Sequence, residues 1–365
     1  MKKNLILIGL MAVLALGTVE TARCEQKPAA KSVAGKTSAR EIYVTRVLFA
    51  VQNTKAEHAR FSPDGKTIIF CDKRNEDKDL DVYVRGLTEW DFPYKIYDSG
   101  TDDEDARYID SNSICIEEKK GYVVVGLKTV DVRDRFTGFI EQKLQTEEKK
   151  PLITGQPAHN ICFSPDGSLL AYLRNSKSNL NEVFVRDLKT GKEKQLTFSD
   201  KDLKEWNKKH KDYGFKNDVN YDINEGPLAI GKGNSVYFQR QIVDMRSWYF
   251  AWWSVKQDGS LPEHGGWGRN FSFSPDYKWV CFCDDNHKEN ANVYITSSKR
   301  IEKEVYTNEE IEKSIVVEFK GKYFNPTWSP DGTKMVLFEN DYVHDTVNML
   351  LVTLGGPAID SMSKR

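Results

Sequence analysis

The sequence has no excess of either charge. Its 365 residues carry 53 Lys and Arg against 54 Asp and Glu, for a formal net charge of -1. No strong field therefore draws it to nucleic acid or another polyanion. It also lacks a long apolar run. The extended stretch from Leu5 to Leu16 falls short of the roughly 20 residues that a spanning helix needs, so a retained anchor is the weaker reading of it. The sharper catalytic signatures are missing as well: there is no Gly-x-Ser-x-Gly elbow, His-Glu-x-x-His pair, Walker loop or Cys-x-x-Cys. The six histidines (58, 159, 210, 264, 287, 344) show no tight ligand spacing. Neither a metal nor another cofactor is expected on that ground. The acidic run Asp102 to Asp105 lacks the glycine turn and spaced ligands of a calcium loop, and it reads as a solvated segment.

What is present begins at the N-terminus. Lys2 and Lys3 precede the apolar run, and small and polar residues follow it, which is the order of a secretory signal. Residues 1–22 are expected to be a cleaved signal peptide, placing the chain in the periplasm or, as an alternative, outside the cell. No stable membrane insertion is expected after cleavage. Cys24 is a candidate lipid anchor, but Arg23 stands where a lipobox needs a small residue. Residues 23–40 are rich in Lys, Ala, Ser and Gly and read as a flexible linker. Residues 357–365 read as a C-terminal tail.

The organising feature is a repeat. Phe61-Ser62-Pro63-Asp64-Gly65 recurs as Phe163-Ser164-Pro165-Asp166-Gly167, Phe273-Ser274-Pro275-Asp276-Tyr277 and Trp328-Ser329-Pro330-Asp331-Gly332, at separations of 102, 110 and 55 residues. Two intervals are about twice the third, so each should hide a degenerate copy. Ile114-Cys115-Ile116 with Tyr122 to Val125 fills the first gap. Leu228-Ala229-Ile230 with Val236-Tyr237-Phe238 fills the second. The Pro-Asp-Gly turn joins two antiparallel strands, because proline presets φ, aspartate accepts backbone N–H groups and glycine takes positive φ. A third strand follows, as in Asp81-Val82-Tyr83-Val84-Arg85, and then a fourth. Six four-stranded meanders packed radially bury both faces of each sheet. The expected fold is all-β, a six-bladed β-propeller over residues 41–356. The sixth unit lacks a convincing fourth strand, and Glu41 to Leu48 is expected to supply it and close the ring.

This string of Phe-Ser-Pro-Asp-Gly, apolar strand, polar loop and Asp/Glu-Val-Tyr/Phe-Val-Arg resembles the WD-like repeat of the TolB family, without that family's N-terminal domain. Related repeats occur in the propellers of prolyl-oligopeptidase-type peptidases and of sugar-acid lyases. The resemblance implies that the strand before each turn lines a central channel. Three residues before each aromatic anchor stand His58, Asn160, Asn270 and Asn325, with Ser113 and Gly226 at the degenerate copies. His159, Arg269 and Glu57 lie one residue earlier and are expected to rim the same opening. Asparagine amides could bind a peptide backbone or could satisfy neighbouring loops. The long interval from Ser199 to Pro227, with Trp206, Tyr213, Phe215 and Tyr221, reads either as an arm that contacts a partner or as a surface helix packed on a blade edge. Trp248 to Trp253 reads as strand packing into both blade interfaces. The cysteines are expected to be mostly buried free thiols, with Cys115 and Cys162 at one register of adjacent blades.

The functional expectation is an exported scaffold that binds a protein or peptide segment at the polar channel mouth. A small molecule or glycan is a further possible ligand, and nucleic acid is not expected. The alternative is a propeller lyase or hydrolase acting on an oligosaccharide or peptide, with His58, His159 and Arg269 as its polar cluster.

Overall fold

A computed structural model of the chain describes residues 43–54, 58–74, 78–88, 91–119, 121–133, 140–153, 158–164, 166–176, 180–209, 220–223, 226–244, 247–283, 292–298, 315–319, 323–341 and 346–355. The expected signal, linker and tail segments, Cys24, Glu57, Tyr213 and Phe215 lie outside these residues.

Each of the four strong copies builds the same tight turn. Ser62 Oγ donates to Asp64 Oδ1 at 2.7 Å and accepts from the Thr67 N–H at 3.0 Å, while Asp64 Oδ1 accepts from the Lys66 N–H at 3.1 Å. The serine–aspartate lock recurs at Ser164–Asp166, Ser274–Asp276 and Ser329–Asp331, at 2.6, 2.7 and 2.5 Å. The serine is therefore as much a part of the motif as the aspartate. Gly65 takes φ 68°, where a side chain would be strained. In the third strong copy Tyr277 accepts that strain at φ 56°, and its hydroxyl donates to the Ile230 carbonyl of the preceding blade at 2.9 Å.

The strands pair into six antiparallel sheets. Blade 1 runs through Ala59–Phe61, Thr67–Asp72, Asp81–Gly86 and Tyr94–Tyr97. Blade 2 runs through Asp103–Asp110, Ser113–Glu118, Gly121–Arg133 and Ile140–Pro151. Blade 3 takes His159–Phe163, Leu169–Asn175, Asn181–Asp187 and Glu193–Gln195. In blade 4 the inner strand is interrupted: Asn220–Ile223 and Ala229–Ile230 both pair with Val236–Asp244, which leads to Ser247–Val255 and Glu263–Trp267. Blade 5 takes Arg269–Phe273, Trp279–Cys283, Val293–Ser297 and Ile315–Phe319. Blade 6 takes Tyr323–Trp328, Lys334–Asp341 and Thr346–Gly355.

The fourth strand of blade 6 is Tyr43–Thr54, paired antiparallel with Thr346–Gly355 from Tyr43↔Gly355 to Thr54↔Val347. The start of the propeller thus closes the ring at its end. Both degenerate copies exist, but the first is shifted by one strand. Ile114, Cys115 and Ile116 lie on the second strand of blade 2, and Asp103–Asp110 is its inner strand. Cys115 and Cys162 consequently sit on different strands of their blades, correcting the shared register.

Six apolar clusters fill the six interfaces between blades. Ile69 and Val84 of blade 1 pack with Ile114 and Val125 of blade 2. Blades 2 and 3 meet through Cys115, Tyr122, Ile161 and Tyr172. Val183 and Leu173 pack with Phe238 and Trp253 across blades 3 and 4. Trp252, Phe271 and Phe282 join blades 4 and 5. Cys281 and Ile295 meet Leu337 and Val352 across blades 5 and 6. Phe338 and Leu351 meet Ile68 and Phe70, which completes the circle from blade 6 to blade 1. Strand alternation sends Trp252 into one interface of blade 4 and Trp253 into the other, as expected for core packing. Cys71, Cys115, Cys162, Cys281 and Cys283 are buried free thiols.

Of the expected arm, Ser199–Lys209 forms helix α1, with Asp200 and Asp202 in its first turn and Lys208 and Lys209 in its last, which suits the helix dipole. Buried Glu182 anchors its start by accepting from Ser199 N–H at 2.8 Å and from Thr197 Oγ1 at 2.5 Å. Trp206 is buried edge-on against Trp253, with ring centroids 5.4 Å apart. This stretch is a helix packed over blades 3 and 4. Tyr221 extends the inner strand of blade 4 opposite Ile242. Among the described residues, no helix is long and apolar enough to cross a membrane.

Candidate functional site

The inner strands run from the channel mouth to the Ser-Pro-Asp-Gly turns, so equivalent positions share a level. Asn160, Asn270 and Asn325 occupy one such position in blades 3, 5 and 6, and each has a left-handed backbone, with φ of 46°, 53° and 45°. Each also sits at a bulge. Asn160 and Ile161 together oppose one residue between the pairs His159↔Leu173 and Cys162↔Ala171. The same slip occurs between Arg269↔Cys283 and Ser272↔Cys281, and between Phe324↔Phe338 and Thr327↔Val336. Asparagine tolerates this conformation better than any other residue except glycine, so the bulge alone accounts for the residue type. The Asn270 N–H donates to Gln239 Oε1 at 3.0 Å.

In blades 1 and 2 the level is held differently. His58 keeps the expected place. In blade 2 the equivalent residue is Asp105, because Tyr108 pairs with Ile114 as Phe61 pairs with Ile68. Ser113 is displaced from the mouth. It begins the second strand at the turn end, where its hydroxyl donates to Asp110 at 2.9 Å. That turn lies about 17 Å along the strand from Asp105, at 3.3–3.4 Å per residue. Gly226 falls one residue early, since Ile230 pairs with Val236 as the anchor does.

The correction exposes a cluster that spans three blades. Asp103 and Asp105 alternate inward along their strand and are buried, so the acidic run is only half solvated. Arg107 lies two residues on and so shares a strand face with Asp105. Its Nη2 donates to Asp105 Oδ2 and its Nη1 to the Ile161 carbonyl of blade 3. Arg60 Nη2 stands 3.7 Å from the same Asp105 oxygen, and Asp105 Oδ1 is buried with no hydrogen-bond partner. Burial pushes the Asp105 carboxyl up, but the guanidiniums of Arg107 and Arg60 outweigh it and hold the group below the ordinary carboxylate range. Burial lowers His58 to about 4, against the pull of Asp105 and with help from Arg60 and Arg107, so its imidazole is neutral at pH 7.

Next to this cluster stands Glu117. It accepts from the Tyr122 hydroxyl at 2.5 Å and lies 4.0 Å from His159 Nδ1 across the blade 2–3 boundary. Burial pushes Glu117 up to about 7. Asp103 is raised to about 7 by burial, with Glu118 and Asp81 adding to the rise. Arg269 stacks toward Phe250, with its guanidinium carbon 5.9 Å from the ring centre. The structure thus sets His58 of blade 1 and His159 and Asn160 of blade 3 on either side of Asp105 and Glu117 of blade 2. Asn270, Arg269 and Asn325 sit at the same level of blades 5 and 6.

Sequence reasoning missed Arg60, Asp105, Arg107 and Glu117. Three of these carried a signal, the period-two alternation Asp103-x-Asp105-x-Arg107 and His58-x-Arg60, which marks strands that turn charge inward. No group of three or more His, Cys, Asp or Glu among the described residues is arranged to hold a metal ion.

No protein-family model and no curated protein matches the chain. Among solved structures it is similar to TolB from Acinetobacter baumannii, at 14% identity and TM-score 0.43, over 82% of this chain and 64% of that one. It therefore spans less than two thirds of that protein. It is similar to a protein assigned as TolB from Agrobacterium tumefaciens, at 16% identity and TM-score 0.42, over 87% of this chain and 97% of that one. It is also similar to oligogalacturonate lyase from Vibrio parahaemolyticus, at 8% identity and TM-score 0.42, over 88% and 95% of the two chains. Likenesses this distant carry no functional argument. The six-bladed assignment rests on the strand pairing and the six inter-blade cores.

Proposed function

We propose that the chain is an exported binding propeller that holds a peptide or protein segment at the channel mouth formed by blades 1, 2 and 3. The observation that supports this most is the convergence of Arg60, Asp105, Arg107 and neutral His58 beside Glu117 and His159. A peptide backbone offers alternating donors and acceptors, and this cluster offers both, with donors on the partly exposed Arg60 guanidinium and an acceptor on the Glu117 carboxyl. Rigid neighbours preorganise it, because Arg60, Asp105, Arg107 and His159 stand on inner strands and Glu117 on the second strand of blade 2, all flanked by packed interfaces. Export is the part of the reading that rests on Lys2, Lys3 and the Leu5 to Leu16 run, and N-terminal sequencing of the cell-envelope protein tests it.

Selection of phage-displayed random peptides on the immobilised protein tests the binding reading. Selected peptides are expected to lose at least about tenfold in affinity on His159→Ala, since truncating an interface hot spot costs about 2 kcal/mol or more. Failure to select any peptide would contradict it, as would equal binding to the variant.

One observation favours a second reading, a lyase or hydrolase acting on an oligosaccharide or peptide. Glu117, near 7 and beside His159, has the properties of an acid–base catalyst. Turnover on a substrate panel that Glu117→Gln abolishes would put this reading first.

A further inference from the structure

In the blade 1–2 cluster two guanidiniums face one carboxylate. Arg107 engages one oxygen of Asp105, Oδ2, through Nη2, and its Nη1 donates to the Ile161 carbonyl. Arg60 is left over. Its Nη2 lies 3.7 Å from Asp105 Oδ2, beyond hydrogen-bond reach, and its hydrogen bond is from Nη1 to its own Ala59 carbonyl at 3.1 Å. A guanidinium carries five N–H donors, so most of this one is uncommitted.

Solvent reaches Arg60 more than its neighbours: its side chain is 24% exposed, against 14% for Arg107 and 9% for Asp105. Among the described residues the other nearby carboxyl does not serve it, because Glu117 accepts from the Tyr122 hydroxyl and faces His159. The excess charge is local, since the whole chain is balanced at -1. An anion would therefore be held by contact geometry, with little long-range steering.

We infer that Arg60 is the receptor for one carboxylate of the bound segment, from an acidic side chain or a C-terminus, so that the partner is an acidic peptide. The partner class rests on the peptide-binding reading, while the carboxylate receptor follows from the cluster itself. A planar fork matches a carboxylate with two parallel hydrogen bonds. A phosphate, with up to two charges, fits less well: one free guanidinium stands there, and Asp105 beside it repels a second negative charge.

The test uses the full exported chain and three small probes: glutarate, its neutral diamide glutaramide, and inorganic phosphate. Glutarate is expected to raise Tm and to bind in calorimetry, and the other two are not. Arg60→Gln should weaken glutarate about tenfold, the scale of a charge-assisted hydrogen bond. Arg60→Lys should fall between, and it serves alone if the glutamine variant does not fold. Equal effects of glutarate and glutaramide, preference for phosphate, or unchanged binding in both variants would overturn the assignment. A second arm titrates display-selected hexapeptides, their Asn and Gln counterparts, and C-terminal amides, which separates side-chain from terminal carboxylates. Peptides that bind regardless of acid and of Arg60 remove the carboxylate receptor and leave the peptide reading standing. Glutarate binding at Arg60 without binding of any peptide removes the acidic-peptide partner and the peptide reading, and leaves the receptor.

Discussion

Asn160 shows how one side chain can be demanded twice. Its backbone at φ 46° excludes most residues, since the left-handed region costs about 1–2 kcal/mol for an ordinary side chain. Asn160→Val should therefore lower unfolding free energy by about 1–2 kcal/mol in urea, while Asn160→Gly should stay within a few tenths. The glycine variant separates the two roles. Lost peptide binding with intact stability assigns the amide to the ligand, and retained binding assigns it to the bulge.

Glu117 is the residue whose titration should be visible. Its folded value near 7 lies above the ordinary 4.5, so between those values the native state holds more protons than the unfolded chain. Its contribution to stability is present below pH 4.5 and is lost as pH rises through 7, by about 3 kcal/mol. His58 slopes the other way, since its folded value near 4 lies below 6.5 and stability is lost as pH falls through that window. Glu117→Gln keeps an acceptor for Tyr122, and it should exceed the wild type in stability at pH 8 and lose that advantage by pH 5. A difference that is flat with pH would refute the burial account of Glu117.

Among elements, helix α1 is the clearest case of packing deciding between two sequence readings. Its polar face invites the idea of a free arm, but Trp206 and Leu203 sit in the blade 3–4 core and buried Glu182 caps its start. Trp206→Ala should cost about 3–5 kcal/mol in chemical denaturation, the range for a buried tryptophan. A cost under about 1 kcal/mol would mean that the helix is only loosely docked.

The inner strand of blade 2 shows where the sequence was legible and where it was not. Four turns with Ser-Pro-Asp fixed the blades that carry them, because turn chemistry is local and reads directly from residues. Blade 2 has no such turn, so strand identity had to come from apolar runs. Ile114 to Ile116 is the most apolar run and so reads as innermost, whereas the true inner strand, Asp103–Asp110, carries buried charge. The candidate site was hidden for the same reason. Ion pairs that cross blades join residues far apart in sequence, as Arg60 and Asp105 do, and no local pattern encodes their meeting.

For the whole molecule, closure is the structural condition on which everything at the mouth depends. Tyr43–Thr54 covers the edge of Thr346–Gly355, and without it the ring ends in an open strand that pairs readily with other chains. Removing residues through Thr54 should lower the urea midpoint and shift the protein to aggregates in sedimentation. An unchanged monomer would show that closure by this strand is dispensable.

The most direct test of the channel-mouth site is site-specific photocrosslinking at opposite ends of the inner strands. A benzophenone amino acid is placed at His159, which is 40% exposed at the mouth, and in a second protein at exposed Ser111, in the turn at the far end. Display-selected peptide is expected to crosslink at His159 and not at Ser111. Labelling at Ser111, or equal labelling of both, would contradict the site.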